Sequence, residues 1–218
     1  LERRITFGFS GRVDVKGKIK SYTNDGKLIL GINYKNKSYV LESPLYGEQS
    51  AENLLASIAI ALELGLSLKE IRNALSKLKA PLGRLNVQSY KNFILIDDTY
   101  NANPDSTKAA IELVGRIKSF KRKVLFLGDM LELGDKSIKF HQSLKTVVTK
   151  SRIDEVYTIG PKMKYLNEKL NNDKIIAKHF IKRNMLSSYI KKLDLDDSVI
   201  LVKGSRGMKM EEFLSEIK

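Results

Sequence analysis

The fold follows from one segment, Phe93-Ile-Leu-Ile-Asp-Asp-Thr-Tyr-Asn-Ala-Asn-Pro-Asp-Ser106. Its first four residues are apolar, which is typical of a strand buried on both faces. The sequence then becomes polar at Asp97-Asp98. Asn103 can cap a helix, Pro104 suits the first helical turn, and Asp105 suits the positive end of the helix dipole. The segment therefore predicts a strand, a polar loop and a helix.

Strands and helices continue to alternate from Leu85 onward, which predicts a mostly parallel α/β sheet with helices on both faces. The candidate strands are Leu85–Gln88, Phe93–Ile96, Val124–Leu127, Val156–Ile159, Ile175–Ala177 and Val199–Val202. The candidate helices are 105–119, 138–150, 162–171, 184–193 and a last helix over Met208–Ile217.

The first part of the chain has a different pattern. Residues 5–45 predict a small antiparallel β-meander, because turn residues separate short alternating segments. Residues 50–79 predict two helices, the first capped by Ser50 and the second by a capping box of Ser67-Leu-Lys-Glu70. Pro81-Leu-Gly83 then interrupts the chain. We place a domain boundary there.

Chemistry-bearing residues follow the predicted parallel strands, whose carboxyl ends share the edge where such sheets bind ligands. We expect acids, glycines and cations to meet in one crevice. Lys203 and Arg206 could bind a carboxylate or phosphate, and the loop between them should open a helix whose N-terminus favours anions. The alternative is a set of solvated connectors. The segments are Asp97-Asp98, Gly128-Asp129, Gly160-Pro-Lys162 and Lys203-Gly-Ser-Arg-Gly207.

Several site classes lack their sequence signals. No G-x-x-x-x-G-K-[ST] loop occurs, and no G-x-G-x-x-G follows a strand, so neither a Walker A site nor an ordinary dinucleotide site is predicted. His141 and His179 have no metal-ligand spacing, and we predict no metal site. His141 follows the acidic loop Asp129–Asp135 and could be functional, although a core or surface role is the alternative.

Composition favours a soluble, cytoplasmic protein. The chain has 218 residues and no cysteine, which fits a reducing compartment, and no apolar run approaches the length of about 20 residues that spans a bilayer. Its net charge of +14 would attract polyanions. However, no arginine-rich block or RNA-binding motif is present, so a solvated basic surface is favoured over nucleic-acid binding.

Four motifs, taken in order, resemble the Mur ligases, and most of all those that add D-alanyl-D-alanine to UDP-N-acetylmuramoyl-tripeptide. The resemblance implies that residues 1–82 are the C-terminal part of the central ATPase domain and residues 83–218 are the C-terminal Rossmann-like ligase domain. A related amide ligase, such as a folylpolyglutamate synthase or a cyanophycin-type enzyme, is the alternative. The motifs are Gly83-Arg-Leu85, Asp97-Asp-Thr-Tyr-Asn-Ala-Asn-Pro-Asp-Ser106, Leu127-Gly-Asp-Met-Leu-Glu-Leu-Gly134 and Lys203-Gly-Ser-Arg-Gly-Met208.

The resemblance also implies a reaction and its residues. ATP and Mg²⁺ would convert the tripeptide carboxylate to an acyl phosphate, which the amine of D-alanyl-D-alanine attacks, in a monomeric enzyme of peptidoglycan synthesis. Arg84 would face the nucleotide phosphates and be catalytic, and Asp98 would bind the ribose. The other nucleotide-binding candidates are Asn53, Tyr100 and Asn101. The substrate-binding candidates are Asn103, Asp129, Lys203, Ser205 and Arg206.

The sequence departs from the family at two places. The family pattern G-x-H-N-x-x-N appears here as Gly47-Glu-Gln-Ser-Ala-Glu-Asn53, with Gln49 and Ser50 in place of the histidine and asparagine. The family's phosphate loop, carbamylated lysine and magnesium-binding acid would all belong upstream of Leu1. We therefore expect the magnesium ligands to lie outside these 218 residues.

We expect these 218 residues alone to have no ligase activity. Without a phosphate loop the γ-phosphate cannot be aligned, and positioning supplies most of the catalysis of phosphoryl transfer. The measurement is ADP release by the purified chain. Release that depended on both the tripeptide substrate and D-alanyl-D-alanine would contradict the expectation.

Overall fold

The computed structural model describes residues 4–171 and 174–217, so Leu1 lies outside the described residues. The chain divides into two compact units, Leu1–Lys79 and Ala80–Lys218. Each unit has its own β-sheet. Across the described ranges, no helix is long and apolar enough to cross a membrane.

The first unit contains a sheet in the order β1-β2-β3-β4 and two helices. The predicted antiparallel pattern is confirmed for β2, β3 and β4, whereas β1 lies parallel to β2. Hydrogen bonds from the Thr6 backbone and hydroxyl to the Asp14 carboxylate join the residues that precede these two parallel strands. The elements are β1 Phe7–Gly8, β2 Val15–Tyr22, β3 Leu28–Tyr34, β4 Lys37–Glu42, α1 Glu48–Glu63 and α2 Leu68–Leu75.

The two helices of this unit begin differently. Helix α1 begins at Glu48 with Gly47 as its N-cap, so the predicted cap at Ser50 is wrong. Gly47 has φ of 81°, a conformation open to glycine that turns the chain abruptly into the helix. Helix α2 has the predicted capping box, in which Ser67 and Glu70 exchange side-chain and backbone hydrogen bonds.

The second unit is a six-stranded sheet in the order β5-β6-β10-β7-β8-β9. Only β5 runs antiparallel to its neighbour among these described strands, which confirms the predicted mostly parallel sheet. The strands are β5 Asn86–Ser89, β6 Phe93–Asp98, β7 Arg122–Gly128, β8 Glu155–Ile159, β9 Ile176–Phe180 and β10 Ser198–Lys203. The helices are α3 Pro104–Arg116, α4 Ser137–Lys150, α5 Lys164–Leu170, α6 Arg183–Ile190 and α7 Leu214–Ile217.

Both faces of this sheet are covered. On one face, strand residues such as Phe126 and Tyr157 pack with Leu186 of α6 and Ile217 of α7. Alternate strand residues point to the other face, and α3 and α5 contact β7, β8 and β10. The continuous apolar strands follow from this burial on two sides.

The segment over 93–106 folds as the sequence predicts. Strand β6 is followed by a loop and then by α3, which begins at Pro104 with Asn103 as its N-cap. The Asn103 side chain accepts a hydrogen bond from the Ser106 backbone at 2.8 Å, and Ser106 Oγ accepts one from the Asn103 backbone at 3.2 Å. The loop therefore leaves the strand edge in a fixed direction.

The predicted last helix over Met208–Ile217 is wrong. The chain instead forms two 3₁₀ turns, Arg206–Met208 and Met210–Phe213, before the short α7. Lys209 between the turns is left-handed, with φ of 47°, and this conformation interrupts a right-handed helix. The glycine-rich loop therefore does not open the long helix that was expected to attract an anion.

We expect Asn103→Ala to lower the free energy of unfolding by about 1 kcal/mol, because the first turn of α3 loses its cap. Asn103→Asp is the matched control, since aspartate caps a helix as well as asparagine does. Urea unfolding of the two variants measures the difference. Equal loss of stability in both would contradict a capping role.

We also expect the second unit to be the more resistant to proteolysis. Leu82 is 80% exposed in the segment that follows Lys79, whereas the six-stranded sheet is covered on both faces. Brief protease treatment followed by mass spectrometry should therefore leave a core that starts near Leu85. Degradation of residues 83–218 ahead of the first unit would overturn this expectation.

Candidate functional site

The candidate site lies at the carboxyl ends of three neighbouring strands, β6, β10 and β7. Lys203, the last residue of β10, lies opposite Asp98 of β6 and Leu127 of β7. The loop after β10 also contacts the loop after β7, since the Ser205 backbone donates to the Asp129 carbonyl at 3.0 Å. The predicted meeting of these loops at one edge is confirmed.

The two acids at the end of β6 both hold the segment Gly83-Arg-Leu85. The Asp97 carboxylate accepts a hydrogen bond from the Gly83 backbone at 3.1 Å. The Asp98 carboxylate accepts one from the Leu85 backbone at 3.0 Å and a second from Lys203 Nζ at 2.5 Å. Thus both carboxylates, although buried, have partners that satisfy part of their hydrogen-bonding capacity.

Arg84 is the exposed member of that segment. Gly83 has φ of 71°, and a Cβ added to it would lie 2.9 Å from the Tyr100 backbone nitrogen, so the turn requires glycine. The Arg84 guanidinium lies 4.1 Å from the centre of the Tyr100 ring, which is 47% exposed. This cation–π contact holds a solvent-facing positive charge at the strand edge.

The loop after β10 is tied into the protein. Lys203 is 1% exposed, and its ammonium donates to Asp98 and to the Asn101 carbonyl at 3.0 Å. Ser205 Oγ donates to the Ala102 carbonyl at 3.1 Å and accepts from the Leu131 backbone at 2.8 Å. The polar atoms of Lys203 and Ser205, both predicted to bind substrate, thus have partners within the chain.

A glycine in this loop serves packing. A Cβ added to Gly204 would lie 2.6 Å from Met210 Cγ and 3.1 Å from Gly128 Cα. At Gly204 the protein's own chain therefore fills the space that a side chain would need.

Asp129 is also a buried support. Its carboxylate accepts hydrogen bonds from the backbones of Lys162, at 3.1 Å, and Met163, at 2.7 Å. These backbone groups precede α5, so Asp129 fixes the turn between β8 and that helix. Its predicted contact with substrate would have to use the acceptor positions that remain.

His141 orders the loop after β7. Its ring is fully buried, with Nε2 accepting from the Met130 backbone at 3.0 Å and Nδ1 donating to the Ser137 carbonyl at 2.7 Å. These two bonds assign the neutral ring with its proton on Nδ1. His141 therefore has the structural role that the sequence left as the alternative.

The remaining candidates are exposed. Asn101 extends from the loop after β6, with its side-chain oxygen accepting from the Ala102 backbone at 2.8 Å. Arg206 pairs with Glu211 at 3.1 Å, and its side chain is 68% exposed. Asn53 belongs to the first unit, where its side chain lies on the exposed face of α1.

One cavity of the second unit does not coincide with this edge. It has a volume of about 820 Å³ and lies between the C-terminal ends of α3 and α4, with a strongly basic lining. The cations lining it are Lys108, Arg116, Lys118, Lys123, Lys150 and Arg152. The strand edge is the candidate site, because parallel sheets bind ligands there.

A smaller cavity of about 480 Å³ lies beside the carboxyl ends of β8 and β9 and is lined by His179 and Glu168. Burial lowers the pKa of His179, Lys164 acts in the same direction, and the Asp129 and Glu168 carboxylates oppose both effects. Within the ranges described, no group of three or more histidines and acids is arranged to hold a metal ion.

Comparison with known proteins agrees with this architecture. The chain is similar to the UDP-N-acetylmuramoyl-tripeptide–D-alanyl-D-alanine ligase of Bacillus subtilis (strain 168), at 35% identity over 80% of this chain and 39% of the relative. It is also similar to the solved structure of MurF from Acinetobacter baumannii, with a TM-score of 0.82 and 28% identity over 98% of this chain and 46% of that one. The MurF ligase from Thermotoga maritima in complex with ADP gives a TM-score of 0.79 and 25% identity over 98% of this chain and 48% of that one.

The chain spans about two fifths of the length of the curated relatives it matches. Residues 83–206 match the family model described as Mur ligase, glutamate ligase domain. This match covers more than half of the chain and contains the strand-edge site. The chain therefore belongs to the Mur ligase family.

Proposed function

We propose that this chain is part of an ATP-dependent ligase that adds D-alanyl-D-alanine to UDP-N-acetylmuramoyl-tripeptide during cytoplasmic synthesis of peptidoglycan precursors. The observation that carries the proposal is the exposed Arg84–Tyr100 pair beside Asp98, at the ligand edge of a Mur ligase sheet. Relatives named for this activity support the choice of substrates.

The proposal includes a domain assignment. Residues 1–82 would be the C-terminal part of the central ATPase domain, and residues 83–218 the C-terminal Rossmann-like ligase domain. The family match to residues 83–206 supports the second assignment. The active enzyme would be a monomer.

The nucleotide would use Asp98 and Arg84. Each Asp98 oxygen accepts one hydrogen bond within the protein, and a carboxylate has about four acceptor positions. Two positions therefore remain for the two ribose hydroxyls. The Arg84 guanidinium, which has five donors in a planar fork, suits phosphate oxygens. Tyr100 and Asn101 would border the nucleotide, and Asn53 would contact the adenine.

ATP would supply the phosphoryl group that converts the tripeptide carboxylate to an acyl phosphate. The amine of D-alanyl-D-alanine would then attack the acyl carbon, and inorganic phosphate would leave. Arg84 would stabilise the charge of the transferring group. Among the described residues no group of three or more acids and histidines is arranged to hold a metal ion, and the magnesium ligands would belong to other residues of the enzyme.

The substrate side of the site would use exposed groups above a buried support. Arg206 presents a cation and Asn103 lies at the start of α3 on the same edge. Asp129, Lys203 and Ser205 would act from beneath, since their polar atoms already have partners in the protein.

Two alternatives remain distinguishable. A folylpolyglutamate synthase or a cyanophycin-type ligase would use a different amine, so replacing D-alanyl-D-alanine with glutamate in the assay tests this alternative.

A nucleic-acid-binding protein would use the basic cavity between α3 and α4. For that protein, salt titration should leave a sequence preference at physiological ionic strength, whereas a merely basic surface should show none.

In the full-length enzyme, we expect Arg84→Met to raise the Michaelis constant for ATP about tenfold to hundredfold, because a charged hydrogen bond to phosphate is lost. The melting temperature should change little, since the Arg84 side chain is exposed. Steady-state kinetics and a melting curve give both values.

Arg152→Met is the matched control, since it removes another exposed arginine, one that lines the basic cavity. It should leave the Michaelis constant for ATP unchanged. A normal Michaelis constant in Arg84→Met would remove Arg84 from the nucleotide site.

A further inference from the structure

We propose that Lys203 is a positioning residue, whose buried ammonium orients Asp98 and holds Arg84 and Tyr100 against each other at the strand edge. The geometric part of this inference stands on the structure, while its effect on ATP use rests on the proposed function.

Both charges of the Lys203–Asp98 pair are buried. Lys203 and Asp98 are 1% and 8% exposed, and lysine and aspartate are almost never buried to this degree unless they are paired. Removing two charges from water carries a desolvation cost that their attraction often only offsets. A role in fixing geometry therefore accounts for this pair better than stability does.

The Lys203 ammonium bonds to two groups at the strand edge. Lys203 Nζ donates to Asp98 Oδ2 at 2.5 Å and to the Asn101 carbonyl at 3.0 Å. The other oxygen, Asp98 Oδ1, accepts from the Leu85 backbone at 3.0 Å. The Lys203–Asp98 pair thus connects the backbone at Leu85 with the backbone at Asn101.

The two anchored positions, Leu85 and Asn101, each adjoin a residue of the exposed Arg84–Tyr100 pair. Leu85 directly follows Arg84, and Asn101 directly follows Tyr100. The guanidinium and the ring, 4.1 Å apart, are therefore each one residue from a backbone group fixed by the Lys203–Asp98 pair. Leu85 itself has φ of 45°, a left-handed conformation that a leucine keeps only when its surroundings hold it.

A lysine suits this position better than an arginine or a methionine does. An ammonium is compact and can donate in three directions, so it can serve a carboxylate and a carbonyl together. A planar guanidinium is larger and would have to displace the packed side chains around the end of β10. Methionine keeps a similar unbranched shape but donates no hydrogen bond.

The test compares Lys203→Met with a control, Lys123→Met, which removes a lysine of β7 that lines the basic cavity. In this chain, we would record the ¹H–¹⁵N signal of the Arg84 side chain, which the Tyr100 ring shields. In Lys203→Met, the signal should move towards that of the exposed Arg152, whereas in Lys123→Met it should stay in place.

The same variants in the full-length enzyme separate positioning from general instability. In Lys203→Met, the Michaelis constant for ATP should rise about tenfold or more, because the orientation of a charged ligand group is lost. In Lys123→Met, that Michaelis constant should not rise. An unmoved Arg84 signal with only a lowered melting temperature would overturn the inference.

Lys203→Met leaves a buried carboxylate without its partner and could therefore fail to fold. A second variant avoids this problem. Asp98→Asn combined with Lys203→Met removes both charges, and such neutral replacements of buried pairs are often well tolerated. The Arg84 signal should still move, because Asn101 has lost its anchor, and an unmoved signal would overturn the inference here too. If the Arg84 signal moves in these variants but the unsubstituted full-length enzyme shows no ATP-dependent ligation, the positioning role is supported and the proposed function is rejected.

Discussion

A buried ammonium faces a buried carboxylate across the neighbouring strands β10 and β6, and the arrangement of the strand edge depends on that contact. Lys203 and Asp98 are directly opposed in the sheet register, so their contact follows from the strand alignment. A slip of one residue by either strand would place the two side chains on opposite faces of the sheet. The alignment of these two strands therefore also fixes the geometry of the site.

The site is built in two layers around this constraint. The lower layer consists of buried polar side chains that bond to backbone groups, namely Asp97, Asp98, Asp129, His141, Lys203 and Ser205. The upper layer consists of exposed side chains, with Arg84 and Tyr100 at its centre. Rigid support beneath exposed contact groups is the arrangement by which enzymes limit the reorganisation needed during reaction.

Local signals in the sequence predicted a large part of this structure. The apolar run before Asp97, the asparagine before Pro104 and the capping box at Ser67 each act through neighbours within four residues. They gave a strand, a cap and a helix start that the structure confirms. The sequence also predicted that the strand ends share one edge, because that arrangement depends only on strand direction.

The parts that the sequence did not predict depend on distant partners. Leu85 is a partner of Asp98 and Met130 is a partner of His141, and no local pattern indicates either contact. The prediction of a final helix was wrong because Lys209 takes a left-handed conformation, which the residue type lysine does not indicate. Whether a polar side chain supports a site or faces its ligand was likewise decided by tertiary contacts.

The position of β10 has a consequence for synthesis of the chain. This strand is the last of the sheet in sequence, yet it lies between β6 and β7. A growing polypeptide therefore holds two unpaired strand edges until residues 198–203 have left the ribosome. Pairings this distant in sequence form slowly, and open edges invite association with other chains. A chain that was cut short before β10 would thus keep both edges open and need protection by a chaperone.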